Sequence, residues 1–99
     1  MLESAYRSCL AAEFKHLAIP FEREVAVPLL YRGAQLDCSY RLDFLVDGRV
    51  VVEAKAVAAL DPIFTAQALT YLKLTGHPLA LLINFNVPAL KQGIRRLVL

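Results

Sequence analysis

Apolar residues open the chain at three- and four-residue steps: Leu2, Tyr6, Leu10, Phe14 and Leu17, with Ala5 and Cys9 beside them. That period matches one face of an α-helix and predicts a helix over residues 2–17, ending before Pro20. The period then falls to two. Phe21, Val25, Val27, Leu29 and Tyr31 lie on one side and Glu22 and Glu24 on the other, which predicts a strand over residues 21–31. Pro28 cannot donate to a ladder, so its part of the strand is expected on a sheet edge or at a bulge, and Gly33 marks a turn. Two further apolar runs, residues 39–46 and 50–57, flank Asp47-Gly48 and predict a hairpin. Asp61-Pro62 supplies an N-cap and a first-turn proline for a second helix, which runs to Leu74 or Thr75 with Gly76 beyond its end. Residues 79–85 are continuously apolar, as suits a strand covered on both faces. A brief helix from Pro88 through Gln92 and a last strand over residues 95–99 complete the chain. The α-β-β-β-α-β order predicts one α/β domain over residues 1–99, a three-layer α-β-α sandwich with a mixed central sheet.

Composition narrows the class. With 58% hydrophobic residues, 20% charged residues, four Gly and five Pro, the 99-residue chain is neither disordered nor collagen-like. A mean hydropathy of +0.49 leaves apolar surface for another protein chain, a homodimer included. The longest stretch free of acids, Lys and Arg, residues 74–90, is broken by His77, Pro78, Asn84, Asn86 and Pro88, so no membrane-spanning helix is expected. Eleven Lys and Arg against nine Asp and Glu give a net charge of +2, too little to hold nucleic acid by electrostatics alone. Cys9 and Cys38 fit neither a CxxC pair nor a zinc set, and no basic-then-apolar leader opens the chain. They read as reduced, buried thiols of a cytoplasmic protein, although their spacing does not exclude a disulfide.

Register locates the chemistry. A two-residue turn at Asp47-Gly48 would mix charge and hydrocarbon on both faces of the hairpin. A three-residue loop over residues 47–49 instead pairs Val46 with Val50, Phe44 with Val52 and Leu42 with Ala54 on one apolar face. It also sets Asp43 opposite Glu53, with Arg41 opposite Lys55. Directly opposed Cβ atoms lie about 4.5–5.5 Å apart, so two carboxylates there repel unless a proton or a cation sits between them. Two hard oxygen donors on rigid strands can hold Mg²⁺ or Mn²⁺, and Lys55 falls on the same face as Glu53. Phosphodiester hydrolysis is the matching reaction. The competing reading is a solvated sheet face carrying ordinary surface charge.

Gln67 and Tyr71, four apart in the second helix, share a stripe with Ile63, Phe64 and Leu74 and are expected to point at the sheet. Either they are a core tyrosine and an amide satisfied by backbone, or Gln67 reaches a water on the metal or a phosphate with Tyr71 in support. Glu3, one turn before Tyr6, is either a third acid for the site or a first-turn acid serving the helix dipole. Asn84 and Asn86 read as stabilisers of the strand exit, with phosphate contact as the other option. His16 and His77 read as solvated residues; Lys73, Lys91, Arg95 and Arg96 read as plain surface or a phosphate-guiding rim.

Five segments resemble the GxxExxY family, which is assigned to the PD-(D/E)XK nuclease superfamily. They are Glu3-Ser4-Ala5-Tyr6, Tyr40-Arg41-Leu42-Asp43-Phe44-Leu45-Val46, Val52-Glu53-Ala54-Lys55-Ala56, Gln67-Ala68-Leu69-Thr70-Tyr71-Leu72-Lys73 and Leu82-Ile83-Asn84-Phe85-Asn86-Val87-Pro88. The resemblance implies a restriction-endonuclease-like α-β-β-β-α-β core and a Mg²⁺-dependent site. Asp43 and Glu53 would be metal ligands, Lys55 the catalytic lysine, Glu3 a first-helix acid, and Gln67 and Tyr71 an accessory motif like that of RecB-type members. The family's opening Gly would fall just before Met1, so its N-terminal extension is expected to be missing; Leu42 stands where the superfamily often has proline. Two functions follow as expectations: a metal-dependent nuclease acting on DNA or RNA, or an inactive nucleic-acid-binding or assembly module that keeps the fold.

Overall fold

A computed structural model describes residues 2–99, the side chain of Cys38 excepted. The elements are α1 (Glu3–His16), β1 (Phe21–Tyr31), β2 (Ala34–Val46), β3 (Val50–Lys55), α2 (Pro62–Thr75), β4 (Leu79–Asn84), a 3₁₀ turn (Leu90–Gly93) and β5 (Ile94–Leu97). The strands form one sheet in the order β1-β2-β3-β4-β5, antiparallel except for the parallel pair β3 and β4 that α2 connects. A helix covers each face. On one side Leu10, Ala11 and Phe14 of α1 pack with Phe21, Phe44, Val52 and Ile83. On the other, Ala68, Tyr71 and Leu72 of α2 pack with Val27, Leu42, Leu45, Val51 and Ala80. This is the three-layer mixed α/β sandwich expected from the element order.

Local signals set the boundaries of α2. The Asp61 carboxylate accepts a hydrogen bond of 2.9 Å from the Ile63 amide, Pro62 occupies the first turn, and Gly76 ends the helix at φ 73° in the left-handed region. The hairpin between β2 and β3 has the three-residue loop, with Val46 paired to Val50 and Phe44 to Val52. Pro28 meets both of its expectations: β1 is an edge strand, and its register shifts between Pro28 and Leu30.

Some elements depart from the sequence pattern. β2 begins at Ala34 rather than Ser39, because Arg32 and Gly33, both at positive φ, close a tight turn and lengthen the hairpin. Residues 34–37 are exposed, so this outer arm carries no burial pattern to read. Leu30, Tyr31 and Leu36 leave apolar surface on it. Cys9 is free and exposed rather than buried, because Leu10, Ala11 and Phe14 form the contact stripe of α1. The expectation for Cys38 falls on a side chain outside those described. No described helix is long and apolar enough to cross a membrane.

The main departure lies at Asp43. Strict alternation would put Leu42 on the side of Phe44, yet Leu42 packs with Leu45 against α2 while Phe44 packs against α1. β1 switches sides at the same level: Phe21 joins the α1 cluster, and Val25 and Val27 pack on the α2 side. Arg23 pairs with Phe44 and Val25 with Leu42, but Glu24 and Asp43 between them form no ladder pair, and Glu24 sits at φ 52°. The apolar face expected to contain both Leu42 and Phe44 is therefore divided between the two cores.

Candidate active site

The ladder between β2 and β3 stops at Phe44 and Val52, and the next residues on each strand are Asp43 and Glu53. Side chains continue the connection. The Asp43 amide donates to Glu53 Oε1 at 3.2 Å, and the Ala54 amide donates to Asp43 Oδ2 at 2.8 Å. Each carboxylate thus takes a hydrogen-bonding role that a ladder carbonyl would otherwise fill. The expected pairs of Leu42 with Ala54 and Arg41 with Lys55 are absent because the strands exchange side-chain bonds here in place of backbone ones.

Burial makes this pairing electrostatically uncomfortable. Glu53 is only 5% exposed. Desolvation, followed by the charge of Asp43, pushes its pKa up to about 8, while the Asp43 amide and the Lys55 ammonium pull the other way. A carboxyl buried this deeply beside a second acid has reason to bind a proton or a cation. Lys55 extends toward α2, where its Nζ lies 4.7 Å from the centroid of the Phe64 ring. Tyr71, 4% exposed, faces the acids from α2. Burial first, then the charges of Glu53, Asp43 and Tyr40, push its pKa up to about 12, so it keeps its proton at neutral pH. The Tyr40 ring meets the Tyr71 ring edge-on at 5.5 Å.

Two sequence expectations need correction. Gln67 is exposed rather than pointing into the sheet, because the buried stripe of α2 runs through Ala68, Tyr71 and Leu72; Ile63 and Leu74 are turned outward with it. Gln67 therefore lines an open groove with Tyr40 and Phe64 instead of joining the core. Glu3 bonds Arg7, one turn on, at 3.0 Å. Among the described residues no group of three or more His, Cys, Asp or Glu is placed to share a metal, so Glu3 does not complete a three-acid cluster with Asp43 and Glu53.

The strand exit behaves as the asparagines suggested and does more. Asn84, buried at the end of β4, accepts from the Val57 and Asn86 amides at 3.1 and 3.2 Å and donates to the Val57 carbonyl at 3.0 Å. With the Phe85 amide donating to the Lys55 carbonyl at 2.8 Å, it fixes the chain just after Lys55. Sequence reading did not single out Tyr40 and Phe64 as neighbours of the site. Tyr40 reaches α2 only because β2 changes sides at Asp43, a backbone event that hydropathy does not encode.

The donor set suits a hard cation that keeps most of its waters. Two carboxylates match Mg²⁺ or Mn²⁺, whereas a closed zinc site would need about four protein ligands. A mixed sheet between two helices, with an acid at a strand divergence and Glu-x-Lys on the adjoining strand, defines a class of α/β domain built around an acidic hairpin. The chain belongs to the PD-(D/E)XK nuclease superfamily, whose family model matches residues 1–97. Comparison with curated proteins and with solved structures gave no match.

Proposed function

We propose that this chain is a metal-dependent nuclease that hydrolyses nucleic-acid phosphodiester bonds, using Mg²⁺ or Mn²⁺ held by Asp43 and Glu53. The observation that carries the proposal is the reciprocal bonding of these two acids to backbone amides, which clamps Asp43 of β2 to Glu53 of β3, two residues before Lys55. When bound, a divalent cation supplies neutralisation of charge at the phosphoryl oxygens. The chain supplies the rest. Asp43 and Glu53 each retain an oxygen outside the two amide bonds as a donor. Lys55 holds an ammonium that orients the attacking water or steadies the phosphoryl group. Tyr71 stays protonated and presents a donor beside the acids. The water oxygen forms a new bond to phosphorus and the bond from phosphorus to the leaving sugar oxygen breaks. One proton passes from the water to solvent, and another reaches the leaving oxygen from solvent.

Membership of the GxxExxY group and a cytoplasmic location belong to the same proposal. The first is supported by Glu3, Tyr6 and the spaced motifs around Asp43, Glu53 and Gln67, the second by the free thiol of Cys9. The test is incubation of the protein with labelled DNA and RNA in Mg²⁺ or Mn²⁺, beside Asp43→Ala and Lys55→Ala. Cleavage by wild type that both variants lose supports the proposal. Binding without cleavage of either polymer would instead favour an inactive nucleic-acid-binding module.

A further inference from the structure

We infer that the groove between α2 and β2 is a stacking subsite for an unpaired nucleobase, and hence that the substrate is a single strand or a frayed end. The inference rests on the nuclease reading above, since it extends the same site. The groove is open, has a volume of about 490 Å³ and is lined by Tyr40, Ile63, Phe64, Ala66, Gln67 and Thr70. That volume falls in the range of roughly 300–1,000 Å³ usual for small-molecule sites in general.

Two of its lining residues touch neighbours of the acidic pair. Phe64 carries the Lys55 ammonium over its ring, and Tyr40 backs onto Tyr71, which feels the charges of Asp43 and Glu53. A nucleotide with its phosphate at Lys55 therefore has an aromatic-lined recess next to it. Ile63 stands 66% exposed at the recess, an apolar surface left to water. Gln67 is exposed and lines the groove, so its amide offers both a donor and an acceptor to the edge of any base. The Thr70 hydroxyl already donates to the Ala66 carbonyl at 2.9 Å and keeps only acceptor capacity.

Charge favours this occupant. A net charge of +2 gives little general attraction to a polyanion, which leaves more of the affinity to contacts that do not depend on a basic surface. Aromatic stacking is one, and it tolerates any sequence because every base has a π face. Bases inside a duplex already stack on both sides, so only an unpaired one can enter.

The test uses the full chain in EDTA, with fluorescent oligothymidylate, oligouridylate and a blunt duplex read by anisotropy, and amide shifts read by NMR. Single strands should bind at least about 10-fold more tightly than the duplex, with shifts at Phe64, Gln67 and Thr70; the two single strands separate DNA from RNA. Phe64→Leu and Tyr40→Leu should each weaken single-strand binding by roughly 5- to 150-fold. Gln67→Ala, at an exposed position that folding tolerates, should weaken it about 5-fold. Equal affinity for duplex and single strand, or folded variants that bind as wild type does, overturns the subsite while leaving the cleavage proposal standing. Groove binding by a protein that cleaves nothing sinks the cleavage proposal and keeps the subsite. Absence of binding to all three probes overturns the subsite.

Discussion

Replacing Glu53 with Gln removes an ionisable group that burial and Asp43 hold at a pKa of about 8 against an ordinary 4.5. Below pH 4.5 the carboxyl is protonated in folded and unfolded chains alike and costs nothing. Between 4.5 and 8 the unfolded chain releases the proton while the folded chain keeps it, so wild-type stability falls as pH rises. Above pH 8 both are ionised and the whole cost is carried. At about 1.4 kcal/mol per unit, that cost is about 3 kcal/mol at pH 7 and at most about 5 kcal/mol at pH 9. Gln keeps an oxygen for the Asp43 amide and has no charge to desolvate. Glu53→Gln should therefore be more stable than wild type by an amount that grows from near zero at about pH 4.5 to several kcal/mol at about pH 9. Urea unfolding of both proteins in EDTA across that range measures the difference. A difference that stays flat with pH, or a variant weaker than wild type at pH 9, refutes the reasoning. Such stabilisation at a functional site is the usual sign of structure held for activity.

Two further outcomes follow from the same geometry. Lys55→Met removes a cation that lowers the Glu53 pKa, so carbon-detected NMR should place the Glu53 titration above its wild-type value of about 8; an unmoved or lower midpoint contradicts the proximity. In Gly93→Ala the new methyl would overlap the Asn84 carbonyl oxygen, a backbone atom that cannot swing aside, and should cost about 1–3 kcal/mol in urea unfolding. An unchanged midpoint would mean that Gly93 does not lie against the Asn84 carbonyl.

The readable parts of the chain were those in which local chemistry and tertiary structure agree. Asp61, Pro62 and Gly76 bound α2 through cap and backbone rules that need no partner. Residues 47–49 gave the right loop because a slip of one residue would have turned Val50 and Val52 to the wrong side. Asp43 and Glu53 come together as their register required, but by carboxylate-to-amide bonds rather than a continued ladder. The switch of sides at Glu24 and Asp43 was invisible because Leu42 and Phe44 are equally apolar, and either face would have accepted either residue. The buried stripe of α2 lies about one position from the one its apolar spacing predicts, since its outward face carries Ile63 and Leu74 and so resembles a core face. This displacement leaves Gln67 outside the core. Glu3 had two uses open to it, and its bond to Arg7 is a contact between neighbours on one helix that the sequence also allowed.

Manganese titration into the protein near pH 9, where Glu53 is ionised, tests the acidic pair most directly. Wild type should bind Mn²⁺ with heat that vanishes in both Asp43→Asn and Glu53→Gln, and binding should weaken as pH falls below about 8 because a proton must leave Glu53 first. Wild-type protein that takes up no Mn²⁺, or either variant binding it undiminished, would contradict a cation site at the divergence of β2 and β3.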